Sequence, residues 1–113
     1  MSGDTPVLDT LADITAASVE HNSLSPREFM LARLSALIAV DAPPMSYIAN
    51  AEALTEAGLT LEDVQGVMIA VAPVVGTPRV MAAGGHILQA LGMAIAVSEA
   101  EADDDADEAD EGL

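Results

Sequence analysis

The chain has no cysteine, no lysine and no tryptophan, and its only aromatic residues are Phe29 and Tyr47. Each absence excludes something. Without cysteine there is no disulfide, no thiolate nucleophile and no thiolate metal site. Without lysine the cations reduce to Arg27, Arg33 and Arg79, set against nineteen acidic residues, and the formal net charge is −16. A nucleic-acid binder needs clustered Lys and Arg to neutralise phosphates, so no nucleic-acid partner is expected. Anionic membrane surfaces are disfavoured for the same reason. With almost no aromatics, a core must be built from Ala, Val, Leu, Ile and Met, which lose little rotamer freedom in helices or pack well between them.

Hydrophobic residues nevertheless make up 51% of the 113 positions. That length suits one domain. Nine of the nineteen acids fall between Glu99 and Glu111, leaving ten acids and three bases (−7) in the body. The composition predicts a folded body over residues 1–98 and a disordered acidic tail over 99–113, which has too little apolar surface to offset its ordering entropy. The first residues, MSGDTPVLDT, have neither a basic region nor an apolar run, so no signal peptide is read and a cytoplasmic location is expected.

Punctuation along the body predicts five helices. The first begins near Pro6 and carries Val7, Leu8, Leu11 and Ile14 at helical spacing, fading at His21-Asn22. Ser25-Pro26-Arg27-Glu28 is a capping box with proline at the first helical position, opening a second helix to about Val40. Its apolar face is Met30, Leu34, Leu37 and Ile38. Pro44 or Met45 opens a third helix, closed by Gly58. Thr60 caps a fourth, with Asp63 in the place usually held by Glu or Gln. From Gly66 to Gly76 this helix is apolar all round, which predicts burial on every side, and Pro73 is expected to bend or end it. Thr77-Pro78 starts a fifth helix to about Val97, with a large stripe (Val80, Ile87, Leu91, Ile95) and a small one (Ala82, Gly85, Gln89, Gly92, Ala96).

From Leu24 to Gly92 the sequence resembles the carboxymuconolactone decarboxylase family, which includes the AhpD-like alkylhydroperoxidases. The markers are the Ser-Pro-Arg-Glu helix start, a helix ending in Ala57-Gly58, the Gly-Leu-Thr-x-Glu-Asp turn, and an apolar helix ending in Gly-x-Pro at Gly76 to Pro78. The resemblance implies an all-α fold, a compact bundle of about five helices assembled into trimers or hexamers. It also exposes departures. Peroxidase-type members carry Cys-x-x-Cys and a following His, at positions occupied here by Pro43, Ser46 and Asn50. Decarboxylase-type members carry His at the place of Asn50 and another at the place of Ala70. A serine hydroxyl cannot cycle through a disulfide as a thiolate does.

Five residues remain as a candidate binding pocket: Arg33, Ser46, Tyr47, Asn50 and His86. Arg33 lies one turn from Phe29 and Leu37, near the apolar stripe, so its guanidinium must meet a carboxylate, a carbonyl or a ligand. Arg27, in the first turn of the same helix, is expected to be solvated. Tyr47 and Asn50 share a face of the third helix and, with Ser46, could form a neutral polar pocket. His86 is either a hydrogen-bonded core residue or a base. No catalytic residue is assigned, no cofactor is expected, and no metal site is read, because His86 has no carboxylate three or four residues on. The expected function is a non-catalytic or functionally diverged homo-oligomer, trimer-based, serving as a scaffold or as a module that binds a small acidic molecule or a protein partner. The alternative is a thiol-independent enzyme of the same fold acting on a small acid or lactone.

Overall fold

A computed structural model describes residues 4–93. The expected tail lies outside the described residues, as does the expected end of the fifth helix near Val97. Among the described residues there are five helices and no strand: α1 (Pro6–Glu20), α2 (Pro26–Ala39), α3 (Pro44–Glu56), α4 (Leu61–Val75) and α5, which occupies residues 77–93 as far as it is described.

The helix starts follow the sequence. At α2 the Ser25 hydroxyl accepts from the Glu28 N–H while the Glu28 carboxylate accepts from the Ser25 N–H, at 3.1 and 3.0 Å. That double bond satisfies two of the orphan donors of the first turn. It also holds the Glu28 carboxyl below its ordinary range, through the Ser25 backbone N–H first and the hydroxyl second. Thr60 and Asp63 repeat the arrangement at α4. The shorter Asp side chain therefore reaches back as well as Glu does.

Two helix ends are built alike. After α3, Gly58 at φ 81° lets its N–H reach the Thr55 carbonyl and the Leu59 N–H reach that of Leu54, each at 3.0 Å. This is a Schellman end, with glycine in the left-handed position. After α2 the same two bonds run from Asp41 to Ile38 and from Ala42 to Leu37, but the left-handed residue is Asp41, at φ 56°. Aspartate tolerates that region better than most side chains, so the turn into Pro43-Pro44 is made without glycine. Ala42 is thereby pulled under the core.

The helix α2 packs on both α3 and α4. Leu34 and Ile38 are fully buried on its inner face, joined by Ala42, Tyr47 and Val67 and, from α5, by Ala83 and Ala90. The α5 positions recur at helical spacing, so one face of that helix closes the core.

Two expectations are corrected here. The fourth helix is not buried on all sides: Val67 is its only buried residue, while Ile69 and Val74 are 75% and 87% exposed. The helices α2 and α5 beside it cover only part of a stripe that runs all the way round. Pro73 does not end α4, which continues to Val75. The proline lies in the last turn, where it removes a single bond from the ladder and little helix remains beyond it.

The helix α1 buries no residue. Val7, Leu8, Leu11 and Ile14, its apolar stripe, are 70%, 65%, 53% and 60% exposed. No helix described from α2 to α4 packs on it.

Candidate functional site

The five candidate residues do not form one pocket. Three lie on α3, one on α5, and Arg33 faces elsewhere. Tyr47 is buried, with 4% of its surface exposed, because it follows the α2–α3 turn and points under Leu34 and Ile38 into the core cluster. Its hydroxyl oxygen is buried and has no hydrogen-bond partner among the described residues. Burial pushes the phenol pKa up, and the nearby Asp41 carboxylate adds to the shift.

His86 lies on the face of α5 that carries Ala83 and Ala90. Its Nδ1 is buried and 3.7 Å from Asp41 Oδ1, too long for a hydrogen bond but close enough to pair if the ring is protonated. Asp41 thus stands beside both a buried phenol and a buried imidazole nitrogen. In the sequence, Asp41 stands only as the first residue of Asp-Ala-Pro-Pro, which stops the second helix. The available signal was an Asp directly before Ala-Pro-Pro, at a place where a helix end calls for a left-handed residue.

Asn50 turns back on its own helix: Nδ2 donates to the Ser46 carbonyl at 2.8 Å. Ser46 is half-buried on the same helix. Neither Ser46 nor Asn50 is brought onto His86 by any hydrogen bond. The neutral polar pocket expected from the sequence is therefore replaced by a tighter group of Asp41, Tyr47 and His86 at the α2–α3 turn.

The arginines reverse their expected roles. Arg27 is the paired one, with Nη2 2.6 Å from Asp63 Oδ1 and Nη1 3.1 Å from Oδ2, and Nη1 also reaches the Gly58 carbonyl at 3.4 Å. The two-pronged bond from Arg27 holds the Asp63 carboxyl well below the ordinary range, and the Thr60 N–H adds to it. Arg33 meets no carboxylate among the described residues. Its guanidinium stacks over the Phe29 ring, 4.4 Å from the centroid. The one-turn spacing to Phe29 was visible in the sequence, but the stacking was read as proximity to a core stripe. Arg79 of α5 donates to the Ala39 carbonyl, one of the orphan acceptors at the end of α2.

Arg33 also lines a groove of about 460 Å³ between α2 and α3. Its walls are mostly apolar: Phe29 and Met30 from α2, Ala53 and Ala57 at the end of α3, with Val19 and Leu24 closing one end. Among the described residues no group of three or more His, Asp or Glu could hold a metal ion. No single helix among them is long and apolar enough to cross a membrane.

An all-helical body with capped α2 and α4, an Ala-Gly end to α3 and a Gly-x-Pro turn into α5 defines the class. The sequence profile of the carboxymuconolactone decarboxylase family matches residues 5–85, and the chain belongs to that family. The match begins at Thr5 and so takes in α1, which the resemblance read from the sequence alone had left out. No curated protein and no solved structure matches the chain.

Proposed function

We propose that this chain is a homo-oligomeric, thiol-independent member of its family that acts as a scaffold or binding module. The observation that carries this reading is α1, a helix with no buried residue and five large apolar side chains more than half exposed. Contiguous exposed apolar surface of that kind marks an interaction face. Ile69, Val74, Met81 and Leu88, each at least 70% exposed, extend the same argument to α4 and α5. The candidate residues support binding over turnover, since Asn50 is spent on its own helix and Arg33 is remote from the Asp41–His86 pair. Light scattering at micromolar concentration tests the reading. The expected result is a mass several times that of one chain, with trimer-based sizes favoured, and a monomer mass under native conditions would overturn it.

One observation favours a second reading, an enzyme acting on a small acid or lactone. Tyr47 and His86 each keep a buried polar atom without a hydrogen-bond partner, with a carboxylate beside both. Such groups cost free energy unless they meet a ligand or water. Assays of lactone opening and decarboxylation separate the readings: turnover abolished by both Tyr47→Phe and His86→Asn would replace the scaffold by the enzyme.

A further inference from the structure

An isolated helix of fifteen residues is marginal in water even when its sequence favours helix. The helix α1 is that long, has no buried residue, and carries its large apolar residues on one side. Val7, Leu8, Leu11, Ile14 and Ser18 fall on one face by helical spacing, while Asp9, Asp13 and Glu20 fall on the other. Such a helix belongs in an apolar groove.

The same protomer offers one. The groove between α2 and α3 is walled by Phe29, Met30, Ala53 and Ala57. The chain's own α1 reaches it only with Val19 near its last turn, and the main stripe stays more than half exposed. Its wall carries one cation, Arg33, with no carboxylate partner among the described residues, and one acid, Glu56, so the match with the stripe of α1 is made by the apolar walls. The areas agree as well. A helix about 22 Å long and about 10 Å across, half covered, gives roughly 700 Å² per docking when both surfaces are counted. Two reciprocal dockings give about 1,400 Å², inside the range of about 1,200–2,000 Å² for a specific interface.

We propose that α1 of one copy lies in the α2–α3 groove of a second copy, and that the two copies exchange this helix reciprocally. The proposal rests on the homo-oligomeric reading above and names the surface that makes the contact. Assemblies larger than two then need a second interface, for which the exposed residues of α4 and α5 are available.

The absence of cysteine makes the test clean, because every thiol is one that has been introduced. Full-length Leu11→Cys chains are mixed with full-length Ala53→Cys chains, left to exchange, and treated with a short bismaleimide, which tolerates small errors of register. A parallel mixture uses Asp13→Cys, on the opposite face of α1. The expected result is a covalent dimer joining Leu11→Cys to Ala53→Cys, largely lost when Asp13→Cys replaces Leu11→Cys. A chain carrying both Leu11→Cys and Ala53→Cys should yield covalent dimers closed by two cross-links. If that double variant closes only within one chain, α1 folds onto its own groove and the exchange is refuted. If the mixture gives no covalent dimer while light scattering of the unsubstituted chain still shows an oligomer, the assembly stands and this docking is wrong. A monomer mass for the unsubstituted chain sinks both.

Discussion

Arg27 in the first turn of α2 holds Asp63 in the first turn of α4 by two parallel hydrogen bonds, at 2.6 and 3.1 Å. Asp63 is at the same time the capping-box acid of α4, accepting from the Thr60 N–H at 2.8 Å. One carboxylate therefore joins the packing of two helices to the start of one of them.

This coupling predicts an acid-side loss of stability. The Asp63 carboxyl is held well below its ordinary range, by Arg27 first. The unfolded chain then binds more protons than the folded one as pH drops below about 4, and stability falls with pH through that window while staying level above it. Asp63→Asn should flatten this limb, and Arg27→Ala should shrink it in part, since the Thr60 N–H still holds the carboxyl below its ordinary range. Urea midpoints measured at intervals from neutral to strongly acid pH check both. An unchanged acid limb in Asp63→Asn would assign the acid sensitivity to other carboxylates.

Tyr47 is the only tyrosine and there is no tryptophan, so the near-ultraviolet spectrum reports this one phenol. Its pKa is raised, by burial first and by the Asp41 charge second. In the folded chain, phenolate absorbance should appear only above the ordinary value of about 10. Because the folded pKa lies above the unfolded one, the associated stability is present below about pH 10 and is lost as pH rises further. Asp41→Asn should lower the midpoint without restoring the ordinary value, since burial remains. A midpoint that ignores Asp41→Asn would separate the two groups.

Leu34 and Ile38 are 1% and 0% exposed. Leu34→Ala should cost about 2–5 kcal/mol, the transfer term plus the cavity left behind. Val74→Ala, on a side chain 87% exposed, should fall within about 0.5 kcal/mol in a monomeric reference state. Chemical denaturation of both variants measures the difference. A larger loss for Val74→Ala in the assembled protein would place that residue in a subunit contact.

No hydroperoxide-reductase turnover is expected with any dithiol donor, because the chain has no cysteine. A coupled assay checks this. Peroxide-dependent turnover above a buffer blank, surviving chelation, would reveal a reaction that does not pass through a thiolate.

Much of the fold was legible because it is written in local terms. Ser25 and Glu28, Thr60 and Asp63, Pro44 and Gly58 act on backbone groups within a few residues, and each marks the boundary that its chemistry predicts. The arginines were misread because pairing is not local. Arg27 and Asp63 are thirty-six residues apart, and only the packing of α2 on α4 brings their first turns together. Helical spacing placed Arg33 next to Phe29 correctly but could not say whether a carboxylate from another helix would arrive. The Asp41–His86 approach was hidden for the same reason, with a further cause: the left-handed backbone at Asp41 sets the direction of its carboxylate, and nothing in a helix wheel records it.

A helix that touches little of its own protomer has a consequence for how the molecule reaches its final form. The α2–α3–α4 core is made of neighbouring helices joined by short turns, a low-contact-order arrangement that forms quickly and without a partner. Under the exchange proposed above, a second copy supplies the free energy that holds α1 helical, and the ordering of α1 becomes a concentration-dependent, bimolecular event. Far-ultraviolet ellipticity should rise with protein concentration after the core has formed, and a refolding jump should show a fast phase indifferent to dilution followed by a slow one that dilution delays. Amide exchange should divide the chain at the same place, with the N–H groups of residues 6–20 losing protection on dilution long before those around Leu34 and Ile38.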